Sequence, residues 1–172
     1  MSDADPLVIR LATVADAPAL AALRYDFRVE LAPAAEPRPA FEARCRAWMA
    51  ERLRPGGAWR CWIAGSSAAI DATLWAERIE KMPNPVAERE LHVYITNFYV
   101  QPSARGSGLG NRMLTVALDW CREEAVDAVI LWPSPRSRSL YLRHGFAVRD
   151  DVLELRLGAA PGHGEPAPPP RV

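Results

Sequence analysis

The sequence predicts a mixed α/β fold built around a single, mostly antiparallel sheet flanked by helices, and three observations carry that prediction. Short apolar runs of strand composition are interspersed with segments whose apolar residues return every three or four positions. Two of the runs, residues 59–64 and 68–80, flank the turn Gly65-Ser66-Ser67, as in an antiparallel hairpin. A third, residues 91–100, passes through a glycine-rich bend straight into an amphipathic helix. With 172 residues and 49% hydrophobic content, the chain is long enough for one domain with a substantial core.

The elements follow in order. Residues 7–11 read as a strand. Thr13 and Asp16 stand in capping-box spacing ahead of a helix whose Leu20, Leu23, Phe27 and Leu31 form the stripe of a half-buried helix. Three prolines within residues 32–39 end it, and a second helix carries Phe41, Cys45, Trp48 and Leu53 before stopping at Pro55-Gly56-Gly57. After the hairpin, residues 82–90 make a polar, proline-bearing connection to the strand 91–100. Within residues 109–124, Leu109, Met113, Val116 and Trp120 make one stripe, which Leu114, Leu118 and Cys121 widen. Residues 128–132 lack polar alternation, which predicts a strand covered on both faces. Residues 146–157 supply one or two further strands. The Pro/Gly-rich remainder, residues 158–172, reads as a disordered tail behind a domain of residues 1–157.

Bulk properties exclude several classes. Lys plus Arg and Asp plus Glu both number 21, so no net field gathers nucleic acid or an anionic membrane. Neutral charge also weighs against a polycationic ligand. The three cysteines, Cys45, Cys61 and Cys121, form no C-x-x-C pair and read as reduced thiols. There is no charged leader with an apolar core and no apolar run near bilayer length, which predicts a cytoplasmic chain without a membrane partner. His92 and His144 fall on separate elements, His163 lies in the tail, and no metal site is expected.

The bend after residue 100 has the makings of a phosphate cradle. Gly106, Gly108 and Gly110 stand at alternate positions and free the backbone for positive φ, while the start of the following helix offers unpaired N–H groups and partial positive charge. Arg105 adds a planar, bidentate cation. The spacing is not the dinucleotide pattern G-x-G-x-x-G, and no Lys-Ser or Lys-Thr pair follows as in the triphosphate loop. What stands is Arg-x-x-Gly-x-Gly, at Arg105, Gly108 and Gly110.

A second segment, Ser134-Pro-Arg-Ser-Arg-Ser-Leu-Tyr-Leu-Arg-His-Gly-Phe146, reads as a short helix with Ser134 as N-cap, Pro135 at the first helical position and Gly145 as left-handed C-terminal cap. The two segments together, each present once and in this order, resemble the pyrophosphate loop and the tyrosine-bearing helix of the GNAT superfamily of N-acetyltransferases. The resemblance is strong over residues 91–157, though many members carry Asn where this chain has Ser134.

That resemblance implies a GNAT-like acyl-CoA N-acyltransferase fold, in which strands 91–100 and 128–132 splay apart to admit the pantetheine arm. It implies direct acetyl transfer from acetyl-CoA, as co-substrate, to an amine of a small molecule, an antibiotic or a peptide N-terminus. The expected cofactor-binding residues are Phe98, Tyr99 and Val100 on the strand, the run Arg105, Gly106, Ser107, Gly108, Leu109 and Gly110, and Ser134 with Arg138. A strand N–H near residues 98–100 is expected to stabilise the oxyanion, and Tyr141 to protonate the departing thiolate.

Arg112, Arg136 and Arg143 are further basic candidates that equally suit solvated helix faces. Glu77, Glu80, Glu90, His92 or water could serve as the base, unranked by spacing. The expected acceptor pocket lies among residues 32–40, the hairpin tryptophans Trp59, Trp62 and Trp75, and the connection 82–90. Cys121 as a nucleophile is weighed against inert packing, and packing is favoured. Two other classes stay open: a non-catalytic acyl-CoA sensor and a structural α/β module. A homodimer is compatible with all three.

Overall fold

Five strands lie side by side in chain order: β1 (Val8–Leu11), β2 (Trp59–Gly65), β3 (Ile70–Glu80), β4 (Leu91–Val100) and β5 (Ala128–Ile130). The computed structural model describes residues 7–66, 69–88, 90–155 and 157, and the expected tail 158–172 lies outside them. The first three pairings are antiparallel and β4 pairs with β5 in parallel, giving the mixed, mostly antiparallel sheet expected. The chain divides into two units, residues 1–131 and 132–172, and the whole sheet belongs to the first.

The near-continuous apolar character of β2 and β3 follows from cover on both faces. Cys61, Ile63 and Trp75 point to one face, where they pack with Ala17, Leu20 and Ala21 of α1 (Ala17–Val29) and Met49 of α2 (Arg38–Arg52). Trp62 points the other way and meets Trp120 of α3 (Leu109–Glu123) edge-on, ring centroids 5.3 Å apart. The turn before α1 is held as its spacing suggests: Asp16 reaches back to accept from the Thr13 N–H at 2.7 Å. In α2, Pro39 lies in the first turn, where its missing N–H costs nothing.

Four expectations need correction. Leu31 lies beyond the end of α1 and is exposed, because the chain tightens there, with Leu31 and Ala32 both donating to the Arg28 carbonyl ahead of Pro33. On α3 the buried arc is Leu109, Met113, Leu114, Ala117, Leu118 and Cys121, while Val116 is exposed. Small Ala117 lies at the centre of that arc, which turns the helix by roughly a quarter turn from the stripe of larger residues. β5 has three residues, not five, and is half-buried to exposed rather than covered; among the described residues it lies at the sheet's edge beside β4.

Finally, no strand occupies the described residues of 146–157. A strand needs a neighbour for its N–H and C=O groups, and none of these residues enters the sheet. Leu153 is 96% exposed, and Arg149 instead pairs with Asp151 two residues on. Within the second unit the regular element is α4 (Arg138–Arg143).

Candidate active site

β4 contains a bulge. Thr73 pairs with Tyr99 and Trp75 with Thr96, so Asn97 and Phe98 together face the single residue Leu74. Asn97 sits at φ 48°, in the left-handed region that Asn tolerates better than most residues. Its carbonyl Oδ1 accepts from Arg24 Nη1 of α1 at 2.8 Å. On the opposite edge, pairing with β5 ends at Tyr94↔Ile130. Residues 95–100, including the expected Phe98, Tyr99 and Val100, run on without a β5 partner. The sequence marks the bulge only by Asn97, a residue that tolerates positive φ and is disfavoured in strands.

Beyond β4, Pro102–Ala104 form a 3-10 turn, after which Gly106 and Gly108 adopt φ of 80° and 78°. Gly110 does not share that geometry: it is the second residue of α3, so two rather than three glycines shape the loop. Nothing lies within 4 Å of where a β-carbon would stand at Gly106 or Gly108, so the requirement there is conformational and the loop surface is open. The first bond of α3 runs from Arg112 N to Gly108 O, and the N–H groups of Leu109, Gly110 and Asn111 have no acceptor within the helix. Ser107 folds its hydroxyl back onto the Ala104 carbonyl at 2.7 Å.

Arg105 is engaged inside the protein. Its Nε donates to Val100 O at 2.8 Å, Nη2 to Glu30 Oε2 at 2.7 Å, and its guanidinium lies 5.5 Å from the Tyr99 ring centroid. Tyr99 donates its hydroxyl to the other oxygen of Glu30. Burial, then that carboxylate, push the Tyr99 phenol up to about 12, so it is a fixed donor at neutral pH. Glu30 therefore ties α1, β4 and the loop together, and no sequence signal marked it. Arg112 is exposed on α3.

On the α1/α2 face of the sheet, a cavity of about 410 Å³ opens between α2 and strands β2 to β4. Trp48, Trp59 and Trp75 form an aromatic corner with centroids 5.2 to 6.1 Å apart. Arg24, Thr96 and Asn97 close the end at the bulge. Trp59 and Trp75 were expected here. Strand alternation turns Trp62 to the α3 face instead, and none of the described residues of 32–40 and 82–90 is in the lining of this cavity. Their place is taken by α2 residues such as Phe41, Cys45 and Met49.

None of the four candidate side chains is part of that lining. His92 Nε2 is 3.3 Å from Asp127 Oδ2. Glu90 accepts from the Asn84 N–H at 2.6 Å. Glu77 shares the cavity's sheet face through its register with Tyr94, whereas Glu80 is exposed at the strand end. Burial pushes the Cys121 thiol up to about 11 and Cys61 up to about 12, which leaves both as thiols at neutral pH. Among the described residues no cluster of His, Cys, Asp and Glu could hold a metal, and no helix is long and apolar enough to cross a membrane.

In the second unit, Ser137 rather than Ser134 precedes α4. Ser134 closes the turn before it, accepting from Ser137 N at its side chain (3.3 Å) and from Arg138 N at its carbonyl (3.1 Å). The far end is as expected: Gly145 has φ 87°, its N–H donates to Leu142 O at 3.1 Å, and Phe146 N–H donates to Tyr141 O at 3.2 Å. The Phe146 ring meets Tyr141 edge-on with centroids 5.5 Å apart. Tyr141 is buried and oriented by this cap. Arg136, Arg138 and Arg143 are exposed.

A profile of the acetyltransferase (GNAT) family matches residues 24–146. No curated protein matches the sequence. Among solved structures, a predicted acetyltransferase with acetyl-CoA from Clostridium acetobutylicum is 26% identical with a TM-score of 0.74, covering 88% of this chain and 97% of that one. A GCN5-related N-acetyltransferase from Ralstonia eutropha is 23% identical with a TM-score of 0.72, covering 89% and 100%. An aminoglycoside N-acetyltransferase in complex with CoA shares the fold at 16% identity and a TM-score of 0.66, covering 91% and 97%.

Proposed function

The chain belongs to the acetyltransferase (GNAT) family, and from that premise we propose that it transfers an acetyl group from acetyl-CoA to an amine of a small molecule or peptide N-terminus by direct attack. The observation that carries this reading is the parting of β4 from β5 after Tyr94↔Ile130, just before two left-handed glycines and the open N-terminus of α3. A diphosphate fits that loop: backbone N–H groups from Gly106 to Gly110 would hold it without displacing any side chain, and the α3 dipole favours its charge. Arg105 braces the loop from beneath. Ser134 and Arg138 are assigned to the same co-substrate.

The thioester supplies the acyl group and a thiol leaving group. The exposed β4 backbone near Phe98 and Val100 would direct an N–H at the acyl oxygen as it gains charge. Tyr141 would hold the proton the leaving sulfur needs; burial pushes its phenol up to about 12, against an opposing hydrogen bond from Ser137, so the proton is in place at neutral pH. An α-amino acceptor, with a pKa of roughly 7.7 to 8.0, is partly neutral without help, whereas a lysine-like amine near 10.4 needs a base. We assign this activity to residues 1–157 and to the cytoplasm.

Thiol release from acetyl-CoA across a panel of amines tests the reading, alongside thermal melting with acetyl-CoA. The expected result is a rise in Tm that saturates with ligand and thiol release that requires an amine. A protein that acetyl-CoA stabilises but that releases no thiol, whichever amine is supplied, would instead be a binding module.

A further inference from the structure

The cavity beside the β4 bulge has a lopsided chemistry. Its wall includes the guanidinium of Arg24, half-buried, whose hydrogen-bond partner is the neutral Asn97 Oδ1. Among the described residues no Asp or Glu is part of the lining and Arg24 forms no ion pair; Glu77 stands in register with the lining residues Trp59 and Tyr94 but is not itself in it. Burial lowers the Arg24 pKa from its ordinary value, and neighbouring Arg28 adds to the effect, as for a cation without an anionic partner. Arg44, also on the wall, is by contrast neutralised by Glu36 at 2.6 Å. Trp75 also lines the cavity; it is 1% exposed, and its buried indole Nε1 has no acceptor. A half-buried guanidinium whose one partner is a neutral amide leaves positive charge uncompensated on this wall, which favours an anionic group that arrives with the ligand.

We propose that this cavity selects an acceptor amine that also carries a carboxylate on an apolar or aromatic body, an amino-acid-like substrate whose carboxylate is held by Arg24 while its body lies against Trp48 and Trp59. A volume of about 410 Å³ suits a molecule of that size. The same positive charge disfavours polyamines and lysine-like acceptors, and it lowers the pKa of a bound amine toward the neutral form that attacks. The cavity reaches β4 at Thr96 and Asn97, adjoining residues 98–100, so an amine anchored by its carboxylate lies beside the strand assigned to the acyl group. The inference deepens the transferase reading and rests on it only for the fate of the amine.

The experiment compares matched acceptors with the intact chain in the presence of CoA or acetyl-CoA: phenylalanine, phenylalaninamide and phenethylamine, and leucine against leucinamide. Binding is read by titration calorimetry and turnover by thiol release. Each acid should exceed its neutral partner by at least about tenfold in both readouts, as for a site built to pair a polar group. Arg24→Gln should bring that ratio toward one, and Arg24→Lys should restore part of it. Should Arg24→Gln fail to fold, Arg24→Met decides through the same ratio, which cancels lost packing and should likewise fall toward one.

Equal or better use of the amides, or an acid preference unchanged in the variants, overturns the proposal. Acids that bind selectively with no thiol released would uphold it and sink the transferase reading. Turnover of all amines without preference would do the reverse.

Discussion

Glu30, at the C-terminal end of α1, accepts from Arg105 Nη2 at 2.7 Å, so the cation next to the glycine loop is spent on holding the loop to the first helix. The pair is partly exposed and contributes about 1 kcal/mol or less by itself. Its effect should be felt in ligand affinity, because Glu30 also fixes Tyr99. Glu30→Gln is expected to weaken acetyl-CoA binding about three- to tenfold by calorimetry, through loss of loop pre-organisation. Affinity that stays the same or tightens would return Arg105 to direct phosphate binding.

Asp16 links stability to acid. Arg10 donates to both its oxygens, at 2.8 and 2.9 Å, and that pairing, opposed by burial and aided by Thr13, holds the carboxyl at about 2 instead of 3.8. A depressed folded-state pKa gives stability that is complete above the unfolded value and lost as pH falls through the folded one. The contribution is about 1–2 kcal/mol above pH ~4 and mostly gone by pH ~2. In urea melts, the gap between the native chain and Asp16→Asn should therefore close between pH 5 and pH 2; a constant gap would contradict the assignment.

The Tyr141 carbonyl accepts from the Phe146 N–H at 3.2 Å, and the Phe146 ring meets the Tyr141 ring edge-on. Tyr141→Phe keeps the ring packing and removes the proton. Turnover is expected to fall about 100-fold with little change in KM for acetyl-CoA. A matching loss in affinity, with kcat preserved, would make the residue a structural one.

Legibility in the sequence followed the locality of the signal. β4 and the glycine bend were readable residue by residue, because apolar continuity and the demands of positive φ act over a few neighbours. Gly145 was readable for the same reason. Ser134 stands one turn before α4 because a hydrogen-bonded turn, closed by its own hydroxyl and carbonyl, intervenes before the helix begins. Val116 misled because a stripe of large residues ignores small Ala117, which packs closest. Glu30, Arg24 and the orphaned Trp75 donor were invisible, since each takes its meaning from a partner on another element: Arg105, Asn97 and the cavity.

The central claim is that backbone amides of the Gly106 to Gly110 bend hold acetyl-CoA. Gly108 has φ 78°, a conformation that a β-branched side chain resists by roughly 1–2 kcal/mol. Titration calorimetry of acetyl-CoA into the native chain and into Gly108→Val tests this most directly. Saturable one-to-one binding by the native chain, weakened at least about tenfold in a folded Gly108→Val, is the predicted result. No binding heat from the native chain at millimolar ligand, or equal affinity in both proteins, would contradict it.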